Sequence, residues 1–147
     1  MQSLLRKEDH MVGFLLLSHG DLSNGLLSTC ECILGIPDKT AALSLAIEDN
    51  IDLFERKIRE MIHELDDGDG VLVMTDVFGG TPCNKCSLML KDENIELLTG
   101  LNFPMIAAAY EKRMTGSCLK EIRDYCLTWA KDGIISMRER LNLEGRQ

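Results

Sequence analysis

Apolar and polar positions follow two rhythms along this chain. Met11–Leu17 (MVGFLLL) is a short continuous apolar run that stops at Ser-His-Gly-Asp, the pattern of a strand buried on both faces of a parallel sheet. Leu22–Leu34 then places Leu22, Leu26, Cys30, Ile33 and Leu34 at helical spacing, and Gly35 and Pro37 end that helix. Ala42–Ile47 predicts a second strand. Asn50 suits the cap of a helix whose Ile51, Phe54, Ile58, Met61, Ile62 and Leu65 form one stripe. After the turn cluster Asp66–Gly70, Val71–Thr75 (VLVMT) predicts a third strand ending at Asp76. Gly79-Gly80-Thr81-Pro82 opens a third helix, with Thr81 suited to the N-cap and Pro82 to the first helical position. Ile95–Leu98 predicts a fourth strand closed by Gly100. Helices follow over about Pro104–Arg113 and Ser117–Lys131, the second with Leu119, Ile122, Cys126 and Trp129 on one face. Beyond Gly133, Ile134–Met137 predicts a short fifth strand.

Strands alternating with helices over short connections imply right-handed crossovers and an α/β fold with a mainly parallel sheet. The simplest layout is doubly wound, of order 2-1-3-4. Winding reverses between strands 1 and 3, and the crevice beyond their carboxyl ends is where such folds bind ligands. Two polar groups fall there. His19 lies two residues past the first apolar run with Gly20 behind it, and Asp76 ends the third strand. The amides of Gly79, Gly80 and Thr81 reach the same edge.

This set suits phosphoryl transfer. A histidine that attacks phosphorus must be neutral with one nitrogen lone pair bare, and an ordinary imidazole pKa of about 6.5 makes that form available near neutral pH. A carboxylate accepting the N–H of the other nitrogen fixes tautomer and ring angle and stabilises the ring when it turns positive. Asp76 is placed for that task. Amides at a helix start can hold the outer oxygens of the phosphoryl group, and glycines let the backbone come close. The Thr81 hydroxyl either caps the helix or touches the phosphate.

Composition narrows the partners. The 147 residues fit one domain with one sizeable core. A formal net charge of −8 without a Lys/Arg cluster argues against a nucleic-acid binder and against membrane attachment through basic residues. No apolar run approaches the roughly 20 residues that span a bilayer. Neither nucleotide-binding glycine motif is present, so phosphate is expected to arrive on a protein, with no cofactor and no metal. Residues 1–10 lack the apolar stretch of a secretory signal and are expected to be a disordered leader or appended segment. Met11 would be the natural start, 11–147 the domain, and His10 has no assigned role. The six cysteines, Cys30, Cys32, Cys83, Cys86, Cys118 and Cys126, are then expected as reduced thiols in a cytoplasm. His63, near the end of the second helix, is expected as a surface histidine.

Four rival readings compete. Cys83-Asn84-Lys85-Cys86 is a C-x-x-C at a helix start, as in thiol redox enzymes, but it follows the third strand rather than the first. A zinc site is opposed by Cys30-x-Cys32, whose thiols point to different faces of a helix. A phosphatase or mutase with a histidine nucleophile would need an arginine clamp where Ser18 stands. A regulatory phosphorylation module would not exclude the carrier role.

At these residues the chain resembles the mannose-family IIA domain of the bacterial phosphoenolpyruvate-dependent sugar phosphotransferase system (PTS). The matching pieces are LLLSHGDLSNGLL (Leu15–Leu27), VLVMTDVFGGTPCN (Val71–Asn84) and TGLNFPMI (Thr99–Ile106). The resemblance implies that His19 is a transient phosphohistidine linked through Nε2, with Asp76 on the opposite ring nitrogen. Phosphate would come from the histidine phosphocarrier protein HPr and pass to a IIB component for sugar uptake. The membrane would be involved only through transporter subunits. Gly20, Phe78, Gly79, Gly80 and Thr81 would line the phosphate pocket. Thr81 stands where serine is frequent and Phe78 where tryptophan is frequent, keeping a hydroxyl and an aromatic wall; Val77 replaces a position often polar. The resemblance also implies a homodimer exchanging its last strand, Ile134–Met137. A related branch serves dihydroxyacetone kinase, and His19 followed by Gly20 fits the sugar branch better.

Overall fold

The apolar run at the start of the chain forms β1 (Gly13–His19), which lies at the centre of the sheet with neighbours on both sides. A computed structural model describes residues 10–35 and 38–145; the expected leader up to residue 9 and the helix stop at Pro37 lie outside the described residues. The chain continues through α1 (Leu22–Leu34), β2 (Thr40–Leu45), α2 (Ile51–Leu65), β3 (Val71–Thr75), α3 (Thr81–Ser87), β4 (Ile95–Thr99), α4 (Phe103–Met114), α5 (Leu119–Asp132) and α6 (Met137–Arg140). The sheet has order β2-β1-β3-β4 and is parallel throughout, as expected. Register brings Leu17 opposite Thr75, so His19 and Asp76 emerge side by side at the winding reversal.

Side chains of β1 and β3 alternate between two cores. Phe14, Leu16, Leu72 and Met74 pack with Cys30, Ile106, Ile122 and Cys126 beneath α1, α4 and α5. Leu15, Leu17, Val71 and Val73 pack with Phe54, Ile58, Ile62 and Met89 on the α2–α3 side. Burial on both faces accounts for the unbroken apolar runs of these two strands. At the far end of the sheet Arg113 ties three elements together. Its guanidinium donates to the carbonyls of Val12 and Asp38, both at 2.9 Å, and lies 4.2 Å and 4.8 Å from the Phe14 and Tyr110 ring centroids.

The structure departs from the sequence pattern at several places. β1 spans Gly13–His19 rather than Met11–Leu17, so His19 is the last residue of the strand, and Ile51 at the start of the α2 stripe is exposed. β2 spans Thr40–Leu45 rather than Ala42–Ile47. Asp49 closes a turn by accepting the Ala46 N–H at 2.7 Å, which lifts Ile47 out of the sheet. On α1, Leu22, Ile33 and Leu34 are exposed, and the buried positions are Ser23 and Cys30. Ser23 is buried because its hydroxyl meets Ser44 Oγ at 3.0 Å and the Leu43 carbonyl at 3.2 Å. On α5 the inward stripe is Ile122, Cys126 and Ala130, and Trp129 is half exposed. Ile134–Met137 is not a strand. Within the described residues no strand takes up its backbone groups, and Ser136 accepts the Glu139 N–H at 3.4 Å to start α6.

Candidate functional site

The turn between β1 and α1 is built to hold His19 in place. Ser18, fully buried, accepts the Ser23 N–H at 2.8 Å, capping the first turn of α1 from the preceding strand, and donates to the Gly20 carbonyl at 3.3 Å. Gly20 takes a left-handed φ of 54° and donates its N–H to the Leu45 carbonyl at 2.9 Å. The turn is thus tied to both α1 and β2, and the imidazole projects beyond the sheet with 48% of its side-chain surface exposed.

Asp76 meets it from β3. The Asp76 N–H bonds the Leu17 carbonyl at 3.2 Å, extending the ladder by one residue. Oδ2 accepts two N–H groups of His19, the backbone one at 2.9 Å and ring Nδ1 at 2.7 Å, while Oδ1 accepts the Val77 N–H at 2.9 Å. Burial works against the carboxylate charge, but these donors, led by the His19 backbone N–H, outweigh it and hold Asp76 below the ordinary aspartate range. A carboxylate facing Nδ1 makes that nitrogen the N–H donor, which assigns the tautomer and leaves Nε2 with its lone pair. Among the described residues Nε2 has no hydrogen-bond partner.

An open cavity of about 690 Å³ lies over the ring, walled by His19, Gly20, Leu45, Ile47, Ile51 and Thr81 together with Asp21, Glu48 and Asp49. Its charged groups are all acidic. Five large apolar side chains are exposed in and next to this region: Leu22 in the first turn of α1, Ile47 (wholly solvent-exposed), Ile51, Val77 and Phe78.

The other expected pocket residues divide. Gly20 and Thr81 share the cavity with His19, whereas Phe78 stands outside it, exposed to solvent rather than walling it. Gly79 supplies a left-handed φ of 82° for the turn. Gly80 lies against the imidazole and is itself the N-cap of α3, in extended conformation at φ −75° and ψ 165°. Thr81 and Pro82 are therefore each one position further into the helix than the sequence suggests, and no side chain caps α3. The Gly80 N–H is turned to the Val77 carbonyl at 3.4 Å, so it is engaged in the turn. The sequence pattern missed the Ser18–Ser23–Ser44 support and the apolar wall of Ile47 and Ile51. Serines in and beside two apolar strands were the available signal for the first.

The rival chemistries find little support. Cys83 and Cys86 are buried, and burial pushes the Cys86 thiol up to about 12, against thiolate formation. Cys30 is buried and Cys32 exposed, on different faces of α1. His63 is exposed at the end of α2 and bonds Glu93 at 3.0 Å.

A family model described as "PTS system fructose IIA component" (EIIA-man) matches residues 13–125. The PTS system mannose-specific EIIAB component of Escherichia coli K12 is 24% identical over 128 residues, which is 86% of this chain and 40% of that protein, so the chain spans well under half of that relative. Phosphotransferase system component EIIA from Streptococcus agalactiae superposes with a TM-score of 0.80 at 25% identity, covering 88% of this chain and 99% of that one. The PTS IIA protein associated with the fucose utilization operon of Streptococcus pneumoniae gives 0.77 at 28% identity, covering 90% and 98%.

Proposed function

The chain belongs to the family of PTS system fructose IIA components, and on that premise we propose that it is a phosphocarrier: His19 takes a phosphoryl group from HPr and passes it to a IIB component in sugar uptake. The observation that carries this reading is the pairing at the crevice, where the Asp76 carboxylate holds Nδ1 at 2.7 Å and Nε2 is left bare on an exposed ring.

The Nε2 lone pair attacks phosphorus as the N–P bond of the donor phosphohistidine breaks, and the electron pair of that bond returns to the donor's ring. His19 then carries phosphorus on Nε2 and hydrogen on Nδ1, so its ring is positive, and the Asp76 carboxylate offsets that charge. No proton need be gained or lost. Return of the N–P electrons to His19 accompanies delivery to the acceptor. A bond from the Thr81 hydroxyl to a phosphoryl oxygen is supported by its position in the cavity wall with His19 and outside the N-cap of α3.

The cavity's charges support delivery by a protein. Its walls hold Asp21, Glu48 and Asp49 and no lysine or arginine, so a free phosphate anion meets repulsion there, whereas a covalently carried group does not need a cationic clamp. This disfavours the phosphatase reading. The exposed Ile47, Ile51, Val77 and Phe78 suit a surface that two protein partners share in turn. Exposed Ile134, Ile135, Met137 and Leu141 support a homodimer that covers them. No helix among the described residues is long and apolar enough to cross a membrane, which fits a cytoplasmic carrier that meets the membrane through transporter subunits.

The test is phosphorylation with phosphoenolpyruvate, enzyme I and HPr, read by intact mass. The wild type should gain one acid-labile phosphate and His19→Ala none. Uptake by His19→Ala would refute the assignment.

A further inference from the structure

A methyl group built on Gly80 would lie 2.6 Å from His19 Cε1, 3.4 Å from Nε2 and 3.0 Å from Val77 Cγ1. We propose that Gly80 is a positioning residue: its missing side chain is the slot that lets the His19 imidazole lie against the start of α3 while bonded to Asp76. This rests on the reading of His19 as the phosphoryl acceptor and deepens it, because Gly80 acts on the ring and not on the phosphate.

The backbone of Gly80 does not itself require glycine. Its φ of −75° and ψ of 165° are open to any residue. Space against the imidazole is what it supplies. Ordinary contact begins near 3.4 Å, so a methyl at 2.6 Å demands about 0.8 Å of movement. The turn is poorly placed to give way. The Asn84 N–H donates to the Gly80 carbonyl at 2.9 Å, the Asn84 side chain to the Gly79 carbonyl at 3.0 Å, and Pro82 and Cys83 in the first turn of α3 are buried. The backbone of His19 is held as well, through its own N–H on Asp76 Oδ2 at 2.9 Å. The ring is half exposed and is held only by its bond to Asp76, so it is the part that yields. The strain is therefore relieved by rotation of the imidazole, which removes Nδ1 from its 2.7 Å bond to Asp76 and misdirects Nε2. The fold is spared and the chemistry is lost.

Gly80→Ala in the full chain tests this with two readouts. The first needs no phosphate donor: imidazole nitrogen and Nδ1–H resonances of the unphosphorylated protein. The wild type should show a single tautomer with a hydrogen-bonded Nδ1–H, and Gly80→Ala should lose it while circular dichroism stays native and the melting temperature falls only by the few degrees that alanine at an N-cap costs. The second is the rate of phosphoryl transfer from HPr, expected to fall on the order of 10- to 100-fold, the effect of misplacing a reacting group by about an ångström. In an Asp76→Ala background the same Gly80→Ala change should add little, since the bond it disrupts is already absent. A preserved Nδ1–H signal, a fully additive loss in the double variant, or an unfolded Gly80→Ala protein would each overturn the proposal. Phosphate uptake by His19→Ala would instead refute the carrier reading and leave the ring geometry untouched.

Discussion

Asparagine at position 76 would keep the shape of the aspartate and remove its charge. In the native site the carboxylate accepts three N–H groups, two of His19 on Oδ2 at 2.9 and 2.7 Å and that of Val77 on Oδ1 at 2.9 Å. An amide offers one acceptor oxygen and one NH₂ donor. With the oxygen toward His19, the NH₂ confronts the Val77 N–H. With the oxygen toward Val77, the NH₂ confronts the His19 backbone N–H and favours a bare Nδ1, the wrong tautomer for attack by Nε2. Neither orientation restores the charge that offsets a phosphorylated, positive ring. A hydrogen bond to a charged group contributes about 1.5–3 kcal/mol. If that loss falls on the transfer step, where the ring becomes positive, the rate drops by about 10- to 150-fold. Rapid-quench measurement of phosphoryl transfer from labelled HPr reads this directly, with a melting curve as control for folding. A rate equal to wild type in folded Asp76→Asn protein would remove the carboxylate from the mechanism.

Three further outcomes follow from the same geometry. Ile47→Ser should leave stability within about 0.5 kcal/mol, because the side chain is wholly exposed, yet raise the KM for HPr by roughly tenfold if Ile47 anchors docking; an unchanged KM would show that partners do not use it. Arg113→Met strips the Val12 carbonyl of its donor and leaves the Asp38 carbonyl only the Thr40 hydroxyl at 3.1 Å; a cost of about 1–3 kcal/mol should lower Tm by roughly 2–12 °C without changing transfer, and a Tm shift below this range would contradict the role given to this tie. Asp76 also shapes acid stability. Its folded pKa lies below the unfolded value of about 3.9, so its contribution is complete above that pH and is lost as pH falls through the folded pKa. The stability gap between wild type and Asp76→Asn should therefore narrow below about pH 4, and a gap that stays constant in acid would contradict the linkage.

Where one physical signal dominated, the sequence was easily read. β3 and the bounds of α1 and α2 follow from apolar runs bracketed by Gly, Asp and Asn, and the sheet order follows from crossover geometry. The meeting of His19 and Asp76 follows from both ending neighbouring strands. Local competition hid the rest. Gly80 and Thr81 are both good N-caps, and the choice was made by the extended backbone at Gly80. Ile47 reads as strand until Asp49 is seen to close the turn. Trp129 and Ala130 differ by one position in helical phase, which periodicity does not resolve near a helix end. Ser136 preceding Glu139 by three residues is a helix-start signature that the apolar pair Ile134-Ile135 obscured. The closeness of Gly80 to the imidazole depends on distances between segments and left no trace in the pattern.

Nitrogen and phosphorus resonance measurements on the phosphorylated protein, with the imidazole nitrogens isotopically labelled, test the carrier mechanism most directly. Phosphorus should couple to Nε2 of His19 while Nδ1 keeps its proton. Coupling to Nδ1, or a phosphoryl group on any other residue, would contradict the mechanism.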